Sequence, residues 1–318
     1  MSVAFVFPGQ GSQYVGMGRA LIEISPAAAE VFAAADEALA EPISALTFDG
    51  PEEDLNLTVN AQPAILATSI AYLRALDEPA AAPPAFYAGH SMGQYSAMVA
   101  AGVLSLADGM RLVRERGRQM QASAEGGAMA AVIGLPDDQI GRLLQAGTAV
   151  GSFTVANRNS PGQIVVSGEQ AAVERACEVA KELGAKRAIV LPVSVAAHSP
   201  LMARAAVEMR RILADVEFRD PRAPLLANAD ARPLTMGEEC RTELVEHLTR
   251  GVDWVAAVEQ MTAAGVGSFV EVGPGKVLTG LIKRIAPDAE GFALDDQAVA
   301  GRLALPPFLT ASPAGAAS

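Results

Sequence analysis

The sequence is poor in residues that staple, ligate or titrate. Only two cysteines occur in 318 residues, Cys177 and Cys240. They lie far apart in segments that read as helical, with no paired metal-ligand spacing, which argues against a disulfide framework or a zinc site and leaves them as packing residues. Positive charge is in deficit too: 24 Lys and Arg stand against 36 Asp and Glu, a formal net charge of -12. Nucleic acid and anionic membranes demand a dominant positive field, so neither is expected as a main partner. Long apolar runs are missing. No stretch reaches the length that crosses a bilayer, and the opening MSVAFVFPGQ has no basic segment and too short an apolar run for a signal peptide. A cytoplasmic protein is expected. Histidine is scarce as well, with only His90, His198 and His247 available for histidine chemistry.

What is present is ample apolar material, 51% of the chain, enough for one substantial core and a smaller lobe. A strand over 2–7 ends in PGQGSQ, a glycine-rich turn that leads to a helix through residue 40. A second helix fits 60–76, DEPAAAPP reads as a linker, and AFYA as a short strand. From 127 to 192 the pattern is strand AMAAVIGL, helix 137–145, strands SFTVAN and QIVVSG, helix 169–183 and strand RAIVLPV. That βαββαβ order is ferredoxin-like. Helices are expected near 200–214, 237–248 and 254–264, then strand SFVEV and the turn GPGK into a last helix. Alternating strands and helices imply a mainly parallel sheet covered on both faces. The expected organisation is a large lobe from 1–124 and 195–300, a small lobe over 125–194, and a disordered tail over 301–318, where LPPFLTASPAGAAS offers few apolar contacts.

Within YAGHSMGQYSAM, the pentapeptide Gly89-His90-Ser91-Met92-Gly93 sets a serine between two glycines at a strand-to-helix junction. Small flanking residues permit a sharp turn that projects the hydroxyl outward. The helix N-terminus then places N–H groups and partial positive charge beside an oxyanion. The plain alternative is a serine that caps the helix while the glycines turn the chain. A nucleophilic hydroxyl needs a base, usually histidine. His90 adjoins the serine, so its side chain leaves the turn in another direction. His247 lies in RTELVEHLTR, an amphipathic pattern that reads as a partly exposed surface histidine. His198, in AAHSP after RAIVLPVSV, stands at a strand's C-terminal end, where ligands collect in open α/β sheets. It is the candidate base, with a capping or core role as the alternative.

The helix LADGMRLVRERGRQM carries four arginines. With Val113 at the centre of the buried stripe and roughly 100° per residue, Leu106, Met110 and Met120 share its side. Arg111, Arg114 and Arg118 fall opposite with Glu115, as solvated charges. Arg116 falls between Met120 and Leu112 at the border of the apolar stripe, where an arginine needs a paired anion. Either it snorkels or closes an internal salt bridge, or it aims a guanidinium fork into a pocket that takes a carboxylate through two hydrogen bonds.

The segments FPGQGSQYVGMG, QPAI, GHSMGQYSAMVAAGVLSLADGMRLVRERGRQM, NRNSPGQIVVSG, LPVSVAAHSPLM and EVGPGKVLTGLIKRI follow one another from Phe5 to about Arg284. In content and order they resemble the malonyl-CoA:acyl-carrier-protein transacylase family of fatty acid and polyketide synthesis. The resemblance implies a large α/β-hydrolase-like subdomain with a parallel sheet, interrupted by a small ferredoxin-like one, with the site between them. Ser91 would be the acylated nucleophile, His198 its base and Arg116 the holder of the malonyl carboxylate. Backbone N–H groups of Gln10 and Met92 would form the oxyanion hole, Gln62, Asn157 and Asn159 would be polar pocket residues, and the carbonyl of His247 would orient His198. Ala197, before the base, leaves room beside the acyl α-carbon, and Gln94 stands where the family often has glutamate.

The implied chemistry is two-step acyl transfer by a monomer without metal or redox cofactor, from an acyl-CoA donor to Ser91 and on to the phosphopantetheine thiol of an acyl carrier protein. Carrier proteins are typically acidic, and Lys186, Arg187, Lys283 and Arg284 are the candidate docking bases, with ordinary surface charge as the alternative. Three rivals stay open. A serine thioesterase or other hydrolase would use water as acceptor, although Arg116 argues against simple fatty esters. A specialised polyketide acyltransferase would move a non-malonyl group between carriers. A carrier-binding module would leave the serine idle.

Overall fold

The computed structural model describes residues 2–76, 84–123, 125–193 and 195–295. All of the expected DEPAAAPP linker but Pro84, the end of the expected large lobe from 296 and the expected tail lie outside the described residues. In chain order the strands are β1 (Ser2–Phe7), β2 (Phe86–Gly89), β3 (Gly127–Ile133), β4 (Phe153–Ser160), β5 (Gln163–Glu169), β6 (Arg187–Val190), β7 (Leu225–Leu226), β8 (Pro233–Leu234), β9 (Val252–Asp253), β10 (Val266–Val272) and β11 (Glu290–Leu294). They form two sheets, and helices cover them in a mixed α/β fold.

The larger sheet has the order β11-β10-β1-β2-β7-β8 and is parallel except for the β7–β8 pair. Its central strand shows why. Ala4, Phe5, Val6 and Phe7 are all buried, the continuous apolar run of a strand covered on both faces. Because side chains alternate across a strand, Phe5 and Phe7 join one core with Leu66, Tyr72, Met98 and Val113, while Ala4 and Val6 join the other with Trp254, Met261, Leu278 and Ile282.

The second sheet has the order β6-β3-β5-β4-β9 and is antiparallel except for β4–β9, so the expectation of a parallel sheet holds for the larger sheet only. Helices Ile140–Thr148 and Gln170–Glu182 pack on one face over Ala130, Val132, Ile164 and Val166. β9 comes from far along the chain and pairs with β4 through Asn157 and Val252, tying the two halves of the molecule together.

Several expected elements differ in detail. The helix through residue 40 is two helices, Arg19–Ile24 and Pro26–Leu39, because Pro26 takes a first-turn position and Ser25 Oγ caps Ala28 N–H at 3.2 Å. The helix expected over 137–145 starts as a 3-10 turn, Asp137–Gln139, and runs on as Ile140–Thr148. Strand RAIVLPV stops at Val190, which leaves His198 on a loop some way past the strand end. Helices Ile43–Asp49 and Glu52–Leu55, and strands β7, β8, β9 and β11, had no expectation. Two-residue strands carry no readable period. Both cysteines are free and buried, and among the described residues no helix is long and apolar enough to cross a membrane.

Candidate active site

Ser91 follows the C-terminal end of β2, and Gln10 follows that of β1, its parallel neighbour, so both loops open at the C-terminal end of the larger sheet. The flanking glycines are sterically required. A Cβ on Gly89 would lie 2.1 Å from the Gly93 carbonyl carbon, and one on Gly93 would lie 2.2 Å from Phe7 O. Ser91 itself has φ +54°, a left-handed conformation that costs about 1–3 kcal/mol in a non-glycine residue and persists only when its surroundings enforce it. Asn228 enforces it here: its Oδ1 accepts the Ser91 N–H at 2.8 Å and its Nδ2 donates to Gly89 O at 3.0 Å. The Asn228 backbone is fixed in turn, its N–H donating to Glu243 Oε1 at 2.7 Å and its carbonyl accepting from Asp253 N–H at 2.7 Å. Glu243 is buried, which pushes its carboxyl up to about 7. Gln94 adds a second clamp, accepting Gly89 N–H at 3.1 Å and donating to Leu226 O at 2.9 Å.

His198 Nε2 lies 2.7 Å from Ser91 Oγ, and His198 Nδ1 lies 2.5 Å from the carbonyl oxygen of His247. A carbonyl can only accept, so Nδ1 carries the proton and the Nε2 lone pair faces the hydroxyl. His198 also has positive φ, +58°, and is buried. Burial first, then the Arg116 charge, lower its pKa to about 3, which keeps the resting imidazole neutral. His90 points away, its Nε2–H donating to Asn159 Oδ1 of the second sheet at 2.8 Å and its ring 5.7 Å from that of Trp254.

Arg116, on helix Leu106–Ala122, is only 1% exposed. Its Nη1 donates to Gln62 Oε1 at 2.9 Å, and its Nη2 donates to Ser91 Oγ at 3.1 Å and to His247 Nε2 at 3.4 Å. Its Nε has no partner, and none of its partners is a carboxylate. Burial pulls its pKa down to about 10. The solvated reading of Arg114 fails: that side chain is also buried, but Glu41 pairs with it at 2.7 Å, and Val59 O and Asn60 Oδ1 accept from it. Arg111 and Arg118 are exposed as expected. Of two buried arginines on one helix, Arg114 therefore has its anion and Arg116 does not.

The surface reading of His247 is likewise overturned. It caps the C-terminal end of helix Gly237–Glu246 and is fully buried, because the packing of that end against Arg116, His198 and Tyr95, rather than helical phase, decides its exposure.

The remaining expected residues divide. The backbone N–H groups of Gln10 and Met92 have no hydrogen-bond partner among the described residues, while the Gln10 side chain turns to Thr58 Oγ1 at 3.1 Å. Asn157 and Asn159 extend from β4, and Asn157 Oδ1 is buried without a partner. Ala197 is partly buried between the large core and a small cluster of Met129, Ala156 and Val165. Lys186, Arg187, Lys283 and Arg284 are exposed. Arg187, Ile133 and Gln163 lie side by side across β6, β3 and β5, and Arg284 donates to Gln163 Oε1 at 2.6 Å, so Arg187 and Arg284 share one rim of the second sheet. Sequence reasoning missed Asn228 and Glu243, whose short loop and amphipathic helix carry no motif. It also missed Tyr95, whose ring stands beside Arg116 and His247, although Tyr95 lay inside the serine motif. Among the described residues no cluster of His, Cys, Asp and Glu has the makings of a metal site.

An α/β sheet whose C-terminal end carries a serine, a neutral histidine and an unneutralised arginine is the arrangement of an acyl-transferring enzyme. Residues 4–304 match the acyl transferase domain family, and the chain belongs to it. It is 47% identical over 295 residues to a malonyl CoA-acyl carrier protein transacylase of Escherichia coli O157:H7, covering 92% of this chain and 96% of that one. The fold superposes on the crystal structure of an acyl carrier protein S-malonyltransferase from Vibrio cholerae O1 biovar eltor str. N16961 with TM-score 0.92 at 44% identity, over 95% of this chain and 100% of the other. It also resembles a malonyl-transacylase solved in complex with its type II PKS acyl-carrier protein, with TM-score 0.89 at 43% identity over 92% and 96% of the two chains.

Proposed function

We propose that this enzyme transfers a malonyl group from coenzyme A to the phosphopantetheine thiol of an acyl carrier protein through an ester on Ser91. The observation that carries the reading is Arg116, a buried guanidinium without an anion that donates to the nucleophile's own oxygen. A thioester whose acyl group ends in a carboxylate supplies that anion and brings its carbonyl to Ser91. The names and partner of the relatives described above support the same assignment.

His198 Nε2 takes the Ser91 proton as Oγ attacks the thioester carbonyl, and the Gln10 and Met92 N–H groups hold the oxyanion. The C–S bond breaks, and the imidazolium protonates the departing coenzyme A thiolate. Once Oγ is an ester oxygen, the Nη2 proton it held joins Nε in binding the malonyl carboxylate. The carrier thiol then gives its proton to His198 and attacks the ester, and the proton returns to Ser91. Gln62 fixes the guanidinium, Asn157 offers its unpaired Oδ1 to the arriving arm, and Ala197 leaves room beside the α-carbon.

The larger lobe, 1–124 and 195–300, is α/β-hydrolase-like in this reading. The lobe over 125–194 is ferredoxin-like, supported by its strands standing fourth, first, third, second in the sheet. The basic rim of Lys186, Arg187, Lys283 and Arg284 docks the acidic carrier. The enzyme works as a cytoplasmic monomer and needs no metal or redox cofactor.

Intact-mass spectrometry tests the core of this reading. Malonyl-CoA should add one malonyl group to the wild type and none to Ser91→Ala, and holo-carrier should discharge the adduct much faster than buffer. Equal labelling of both proteins would overturn the nucleophile, and equal discharge to water would favour a thioesterase.

A further inference from the structure

The mechanism uses only the carbonyl of His247, yet its imidazole is fully buried against Arg116. Its Nδ1 lies 2.9 Å from Glu243 O. Because that oxygen can only accept, the proton sits on Nδ1. Burial, reinforced by the charge of Arg116, holds the ring pKa well below the usual histidine range, so the ring is neutral and Nε2 offers a lone pair. Arg116 Nη2, which can only donate, points at that lone pair over 3.4 Å. Tyr95 walls the pair, its ring centroid 6.0 Å from the Arg116 guanidinium carbon and 6.2 Å from the His247 ring.

The guanidinium is thus pinned at both ends by neutral acceptors from two other helices, Gln62 Oε1 on Nη1 and His247 Nε2 on Nη2. Neutral acceptors fix its plane without cancelling its charge, which a carboxylate in either position would do. We propose that the His247 imidazole is a positioning residue for Arg116 and thereby sets the preference for acyl groups that end in a carboxylate. This rests on the reading that Arg116 receives that carboxylate.

The test compares kcat/KM for malonyl-CoA and acetyl-CoA, with one carrier protein, in His247→Leu and His247→Gln. Both keep the backbone carbonyl that orients His198, but only glutamine keeps a side-chain acceptor. His247→Leu should lose about 10-fold more with malonyl than with acetyl, the scale of one hydrogen bond to a charged group. His247→Gln should recover most of the malonyl rate. Equal losses with both donors, no loss with either, or no recovery in His247→Gln would overturn the proposal. Should His247→Leu fail to fold, His247→Ala carries the same comparison. Arg116→Met separates the two levels: if it keeps the malonyl preference, the parent reading falls with this one, whereas if it abolishes the preference and His247→Leu leaves it undiminished, only the role of His247 falls.

Discussion

Replacing Arg116 by methionine should sharply cut malonyl transfer with little change in stability. The side chain is 1% exposed, and burial lowers its pKa from the ordinary guanidinium value to about 10. Because the folded value is the lower one, the unfolded chain binds more protons between these limits, stability rises with pH through that window, and below it the folded protein carries the whole penalty. That difference amounts to about 3 kcal/mol of unfavourable burial at neutral pH. Arg116→Met removes the penalty and nearly fills the volume, but it leaves Gln62 Oε1 and His247 Nε2 without their donor, which costs about 1–3 kcal/mol each. Gain and cost are of similar size. An arginine in a structural ion pair behaves otherwise, since breaking a buried pair costs about 3–5 kcal/mol.

Kinetics should show the opposite pattern. Truncating one partner of a desolvated charge pair costs about 2–5 kcal/mol, or roughly 30- to 5,000-fold in kcat/KM for malonyl-CoA. Acetyl-CoA offers no carboxylate and should escape the loss. The assay is kcat/KM for both donors with the same carrier, alongside a denaturant midpoint. A fall in stability by several kcal/mol together with parallel loss of both donors would show that Arg116 is structural and would refute the argument.

Two further outcomes follow from the geometry. Asn228→Ala removes the acceptor of Ser91 N–H and the donor to Gly89 O, so single-turnover acylation by malonyl-CoA should fall about 100-fold, the scale of a misplaced reacting group, with KM nearly unchanged; a wild-type rate in the folded variant would contradict the clamp. The acylation rate should also lack the usual histidine limb, because a folded His198 pKa near 3 keeps Nε2 unprotonated as pH falls through 6.5. A rate that halves near pH 6.5 in both the wild type and Glu243→Gln would show that His198 titrates normally.

What the sequence revealed was local. Strand β1 was legible because four consecutive apolar residues leave few readings, and the serine turn because Gly89 and Gly93 meet backbone across the elbow. Arg116 was legible from helical phase. Arg114 was not, since its anion, Glu41, lies 73 positions earlier and only tertiary packing delivers it. Asn228 reaches Ser91 across 137 positions from the turn after a two-residue strand with no pattern of its own. His247 sits at a helix end, where amphipathic phase stops predicting burial.

The choice of a carbonyl to orient His198 follows from the same electrostatics. A buried carboxylate behind the base would stabilise the imidazolium and raise its pKa, as in aspartate-containing triads. Here the orienting residue, His247, also touches Arg116 at 3.4 Å. A carboxylate at that position would pair with the guanidinium first, as Glu41 pairs with Arg114, and the substrate's carboxylate would meet an already neutralised site. A neutral carbonyl fixes the tautomer of His198 and leaves Arg116 charged. The cost is a weak resting base with a pKa near 3, so the imidazolium gains its stabilisation from the substrate itself, as negative charge develops on the oxyanion and the bound carboxylate offsets Arg116. Acylation by acetyl groups lacks the second of these. The same unneutralised arginine that recognises the acyl group therefore also makes the base depend on the correct substrate being bound.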